Sequence, residues 1–210
     1  VLVDLPEPRG GRLTEFLDAD STWALVFVDD GAALYVRREG LMAPVAGRFG
    51  YRWLTGGPAG LELLHQRCRM GPDACAQVIA ELERAAASSK ENSTASSLMA
   101  NAALLEGRYT DARRYLIAAL EADPATSRAH ERLALIALEE RKPREALREL
   151  ALERELRRDA WQLELIAARA HRDLGDLGRA RDAYERVLRR EPGNREAQDS
   201  LGALRGRGDP

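Results

Sequence analysis

The sequence predicts a mainly α-helical chain, a stack of two-helix hairpins preceded by a small partial α/β segment of strand-helix-strand-strand order. Three observations carry this. Alanine recurs every 34 residues at 112, 146 and 180, and again at 100, 134 and 168, with Gly202 continuing the second series. After about residue 58 apolar residues repeat at helical spacing, whereas before it they gather in short β-branched and aromatic runs. The composition, 45% hydrophobic and 31% charged with 5% aromatics in 210 residues, is that of a helix-leaning globular chain.

Residues 1–57 contain three strand-like runs, Val1 to Leu5, Trp23 to Val28 and Ala32 to Val36. Between the first two, Leu13, Phe16 and Leu17 repeat at helical spacing. Asp29-Asp30-Gly31 has the chemistry of a tight hairpin turn between the second and third runs. Three short strands and one helix leave a face and an edge to cover. The stretch 40–57 holds Gly40, Pro44, Gly47, Gly50, Gly56 and Gly57 among Phe49, Tyr51 and Trp53, and reads as a connecting segment with buried anchors.

Residues 58–210 read as helical throughout. The expected divisions are a degenerate hairpin over 58–90, repeats over 93–126, 127–160 and 161–194, and a capping helix over 195–205 with Leu201 and Leu204 inward. In the degenerate hairpin, helices over about 59–70 and 72–88 flank Gly71, and Ala76 takes the alanine place after a two-residue insertion.

The recurrence has a steric reason. Antiparallel helices approach closely only where both present small side chains, so alanine marks the crossing. Larger apolar residues, Leu116, Leu150 and Tyr184 in one register and Met99, Leu133, Ala167 and Leu201 in another, fill the space between hairpins. Gly107 and Gly175 stand where a first helix ends and a left-handed backbone is favoured. Arg141 replaces them in the middle unit and should lose about 1 kcal/mol there. Pro143 opens the helix after it, where a missing N–H costs least. Pro124 and Pro192 close second helices, with Arg158 in the matching place.

Leu104-Leu105-Glu106-Gly107-Arg108-Tyr109-Thr110-Asp111-Ala112 through Ala119 to Pro124 resembles a tetratricopeptide repeat, and Leu174-Gly175-Asp176 through Ala180 and Tyr184 to Asn194 resembles it as closely. The unit over 127–160 departs at Arg141, Glu153 and Arg158 but keeps Leu133, Ala134 and Ala146. The resemblance covers about 93–204. It implies a right-handed superhelix with a concave groove lined by first helices: Ser97, Asn101 and Leu105, then Arg128, Glu131, Leu135 and Leu138, then Gln162, Leu165, Arg169 and Arg172. Such a groove suits a protein partner's extended peptide or helix. Repeats that capture chaperone C-termini use a two-carboxylate clamp; here only Asn101 matches, and Ser97, Arg132, Gln162 and Ile166 occupy the other places.

Other chemistries find little support. The net charge of −2 lacks the field that draws proteins to nucleic acid. No apolar run reaches the roughly 20 residues of a membrane helix, so this chain is not expected to insert directly. His65, His130 and His171 stand in no catalytic motif; Gly10-Gly11 precedes a helix without a phosphate-binding fingerprint. Asp29 and Asp30 are explained by their turn. Asn92-Ser93-Thr94 fits a glycosylation acceptor and Arg207-Gly208-Asp209 an adhesion tripeptide, both too short to weigh. Neither an enzyme nor a cofactor is expected. Cys68 and Cys75 flank a Gly-Pro turn and leave two readings: half-buried free thiols, or a disulfide favoured in an oxidising compartment. Two thiols with no nearby His do not make a zinc site.

The chain begins at Val1 and reads as an excised piece of a longer polypeptide. Only Lys90 and Lys142 among its 32 basic residues are lysines, which with the abundant alanine points to a GC-rich bacterial source. The element Trp23-Ala24-Leu25-Val26-Phe27-Val28-Asp29-Asp30 through Arg37-Arg38 resembles a segment of the extracytoplasmic α/β region of bacterial multi-pass membrane glycosyltransferase-like proteins. That resemblance implies an upstream membrane domain. The expected function is a non-catalytic interaction scaffold, the tail of a larger membrane-anchored bacterial protein on the extracytoplasmic face, with a cytoplasmic location as the alternative. A regulatory or substrate-positioning appendage of a membrane glycosyltransferase-like enzyme is the other reading.

Overall fold

A computed structural model describes residues 1–5, 10–57, 60–157 and 161–205, and for 60–63, 65 and 205 the backbone only. The chain divides into two compact units, Val1–Thr126 and Ser127–Pro210.

The first unit opens with an antiparallel sheet. Its strands β1 (Leu2–Asp4), β2 (Trp23–Val28) and β3 (Ala32–Arg37) lie in the order β1-β3-β2, with Leu2 opposite Leu34 and Trp23 opposite Arg37. A bulge between Leu25 and Phe27 shifts the β2 register, so Leu25 shares the buried face with Tyr35 while Phe27 stands opposite Leu34. Helix α1 (Gly10–Ala19) closes the face that holds Val3, Ala33 and Tyr35, burying Thr14 and Leu17. There the Tyr35 hydroxyl donates to Asp18 Oδ1 at 2.7 Å, and Asp18 also accepts from the Gly56 and Gly57 N–H groups. Burial, and after it the Asp18 carboxylate, push the Tyr35 phenol well above its usual range.

The stretch expected to be only a connector holds a 3-10 turn at Gly40–Met42 and helix α2 (Ala43–Phe49), which lies against β2 and β3. Pro44 sits in the first turn of α2, where its absent N–H is harmless. Of the expected aromatic anchors, Tyr51 is buried and Trp53 half-buried, but Phe49 is exposed because it ends the helix on the solvent side. Glu81 fixes the following loop by accepting N–H bonds from Arg52, Trp53 and Leu54 at 2.8, 2.8 and 3.1 Å. The Arg84 guanidinium stacks 4.1 Å over the Tyr51 ring.

Helices α3 (Gly60–Arg69) and α4 (Pro72–Ser88) form the degenerate hairpin, and α5 (Ser93–Leu105) and α6 (Tyr109–Ala122) the first regular one. In the α3/α4 hairpin the alanine place belongs to Cys75. Its N–H bonds to the Gly71 carbonyl as that of Ala112 bonds to Arg108 and that of Ala146 to Lys142. Cys75 is buried and Ala76 exposed, so the insertion is one residue longer than the spacing from Ala76 to Ala112 suggests. Cys75 is disulfide-bonded to Cys68, which closes the alternative of free thiols.

The second unit contains the hairpins α7 (Ala129–Glu139)/α8 (Pro143–Leu156) and α9 (Gln162–Asp173)/α10 (Leu177–Arg190), then α11 (Arg195–Arg205). The place matching the second-helix prolines, Arg158, lies outside the described residues, as does the tripeptide 207–209. Two apolar clusters fill the unit. One holds Ala134, Ala146, Leu150, Leu163 and Ala167; the other holds Ala168, Ala180, Tyr184, Val187 and Leu201, with Leu204 packed at its edge. All six alanines of the two 34-residue series have no exposed surface, and neither do Leu116, Leu150 and Tyr184. The first helices end in left-handed residues, Gly107 at φ 70°, Arg141 at φ 59° and Gly175 at φ 77°.

Candidate interaction surface

In the first unit, Ser97, Asn101 and Leu105 follow one another at four-residue steps and share one stripe of α5. Leu105 is 77% exposed, while Ser97 and Asn101 are half-buried. The helix is set by its N-terminus: Asn92 Oδ1 accepts the Ala95 N–H, and the Asp30 carboxylate accepts those of Ser93 and Thr94 at 2.7 and 3.0 Å. Asp30 therefore does more than turn the hairpin; it supplies the anion that a helix N-terminus favours. Asn92, whose amide also donates to the Val28 carbonyl at 3.0 Å, is buried and bonded on both sides, which is a capping role and not that of a glycan acceptor.

In the second unit the expected groove residues have divided roles. Arg128 is exposed, at φ 60°, and grips Glu131 with two bonds of 3.0 and 2.8 Å. Glu131 is buried, so it lines no open surface. It belongs to an ion cluster in which Arg157 reaches Glu131 at 2.8 Å and Glu153 at 3.2 Å. Glu153 is fully buried and accepts the Glu131 N–H at 3.2 Å. Burial works against the Glu131 charge, but the bonds from Arg128 and Arg157 outweigh it and hold its carboxyl below the usual range. Burial, and after it the nearby Arg128 charge, lower Arg132 from the usual guanidinium range. Leu135 and Leu138 pack onto the first apolar cluster and Leu165 onto the second. Arg169 is held by a two-bond ion pair to Glu196, whereas Gln162 and Arg172 stay exposed. Arg172 reaches the Tyr184 hydroxyl at 3.3 Å.

Arg157 escaped the sequence reading, although its partner Glu153 could have pointed to it. Glu153 stands 34 residues from Ala119 and from Val187, both fully buried, so a carboxylate in that register demands a cation one turn away.

The histidines occupy separate surroundings. His130 Nδ1 lies 2.8 Å from Glu149 Oε2, and His171 Nδ1 is buried 3.9 Å from Asp176 Oδ2. Burial lowers the His171 pKa, against the opposing pull of Asp176. The side chain of His65 lies outside the described residues. Gly10 and Gly11 open α1 and do not precede it, and residues 6–9 before the helix lie outside the described residues. Among the described residues no group of three or more His, Cys, Asp or Glu is placed to hold a metal ion. No described helix is long and apolar enough to cross a membrane.

Helical hairpins with small residues at each crossing, left-handed first-helix ends and a capping helix define a helical-repeat protein of the interaction-scaffold class. Models of the tetratricopeptide repeat match residues 97–160 and 159–204, together just over half of the 210 residues, and the chain belongs to that family. The matches begin at 97, and the sheet-containing segment lies before them. Among solved structures, MamA 41-end from Desulfovibrio magneticus RS-1 superposes with a TM-score of 0.60 at 20% identity, over 70% of this chain and 84% of that one. YrrB, described as a TPR protein with an unusual peptide-binding site, gives 0.58 at 19% identity, over 70% and 73%. The first TPR of Spaghetti (RPAP3) bound to the HSP90 peptide SRMEEVD gives 0.52 at 24% identity, over 56% and 94%. At these identities the likeness is one of fold. No curated protein matches the chain.

Proposed function

We propose that the chain is a non-catalytic interaction module that seats an extended segment or a helix of a protein partner on the first helices of its hairpins. The carrying observation is the stripe of α5, where Ser97, Asn101 and Leu105 align in a hairpin of the tetratricopeptide family and Leu105 stands 77% exposed. In the second unit, Gln162 and Arg172 of α9 offer exposed polar contacts of the same kind. Two of the similar folds are described with peptides, which supports a peptide as the partner's form. The proposal does not extend to chaperone tails, because Ser97, Arg132, Gln162 and Ile166 replace the clamp, and Ile166 is buried. The bonded Cys68 and Cys75 support an oxidising compartment, in keeping with a tail on the extracytoplasmic face of a membrane-anchored bacterial protein.

Photo-crosslinking tests the surface. A benzophenone side chain at 105 or 162 should trap the native partner, whereas one at the exposed second-helix positions Ile117 or Leu152 should not. Crosslinks of equal yield from the second helices would overturn the assignment.

A further inference from the structure

Within the first unit a half-open cavity of about 160 Å³ lies between the sheet and helices α3, α4 and α5. Its apolar wall comes from Val28, Leu54, Leu64, Leu82 and Leu98, and Asp29 and Asp30 line it beside the β2–β3 turn. This volume is several times that of a water molecule; Thr55, Asn92 and Thr94 join the aspartates on its polar side, while the leucine and valine wall gives water few partners. A compact hydrocarbon group suits that wall better than solvent.

The two carboxylates differ in what they have left to offer. Asp30 spends both oxygens on the Ser93 and Thr94 N–H groups, and the dipole of α5 offsets its charge. Asp29 uses Oδ1 for the Gly31 and Ala32 N–H groups at 3.0 and 2.8 Å. Among the described residues no Lys or Arg side chain is paired with either carboxylate. A negative group half-removed from water and unpaired with any described cation attracts one, and the apolar wall beside it selects a cation that carries a hydrophobic body.

We propose that this cavity binds a primary ammonium group borne on a compact apolar body, with Asp29 receiving the ammonium and the Val28/Leu82/Leu98 wall receiving the body. The ligand is either a free hydrophobic amine or the amino terminus of a peptide that begins with an apolar residue. The site is distinct from the α5 stripe and stands whether or not that stripe holds a partner.

Titration calorimetry on the full chain tests this with phenethylamine as the probe, against phenylacetate and ethylbenzene of similar shape. Saturable binding of phenethylamine, at least tenfold tighter than either control, is expected. Asp29→Asn keeps the Oδ1 acceptor that holds the turn and should weaken the amine about tenfold while leaving the circular dichroism unchanged. Leu98→Trp, which fills the space from a half-buried position, should abolish binding. Phe-Gly-Gly and its N-acetyl form separate the sources: tighter binding of the free tripeptide than of phenethylamine, lost on acetylation, assigns a peptide terminus, and weaker binding assigns a free amine. Absence of saturable binding, equal binding of phenylacetate, or indifference to Asp29→Asn would overturn the proposal.

Discussion

Arg157→Met isolates the energetics of the buried carboxylates in the second unit. The substitution keeps much of the side-chain volume but removes the cation that contacts Glu131 at 2.8 Å and Glu153 at 3.2 Å. Glu131 retains Arg128, whereas Glu153, with no exposed surface, keeps the Glu131 N–H as its hydrogen-bond partner among the described residues, and Arg128 and Arg132 act on it only through space. Breaking a buried pair from one side costs about 3–5 kcal/mol, because the stranded charge retains its desolvation penalty. With a urea dependence of about 2 kcal/mol per molar, the midpoint of the second unit should fall by about 1.5–2.5 M. Urea titration followed by hydrogen exchange of the α7 and α8 amides reads that unit directly. The companion Glu153→Val, Arg157→Met imposes the apolar residue found in this register at Val187 and should recover most of the loss. A single variant that loses less than about 1 kcal/mol, or a double variant no more stable than the single, would refute the reasoning.

Four further outcomes follow from the same structure. Ala146→Trp places an indole where no surface is exposed and should cost about 3 kcal/mol or more, read as loss of cooperative helicity; a fully cooperative variant would contradict the assigned register. Arg141→Gly relieves a left-handed residue at φ 59° and should stabilise by about 1 kcal/mol, seen as a raised Tm. Asp30→Ala removes the acceptor of two α5 N–H groups and should cost about 1–2 kcal/mol, with faster exchange confined to the first turn of that helix. For pH, Glu131 and Glu196 titrate below 4.5 in the fold, so their contribution is complete above that pH and is lost as pH falls through their lowered values. His171, lowered from 6.5 by burial, adds a loss that begins as pH drops below 6.5. Denaturation midpoints measured from pH 3 to 8 should therefore fall on the acid side, and Glu196→Gln should flatten the lower part of that curve.

The 34-residue recurrence by itself determined which helix faces are buried, where first helices turn left-handed and where the last helix caps the stack. These features repeat at constant spacing because each is tied to the backbone geometry of one hairpin, which the chain traverses the same way each time. The strands around Asp29-Asp30-Gly31 were legible for a similar local reason. Only the tertiary structure decided that Cys75 and not Ala76 fills the crossing, that Asp30 caps a helix 63 residues away, and that Glu81 gathers the N–H groups of 52–54. It also placed Glu131 inside an ion cluster with Glu153 and Arg157 and left Leu105 in water. Carboxylates that satisfy distant N–H groups or arginines have no characteristic separation along the chain, so their pairing is set by packing and leaves no period to read.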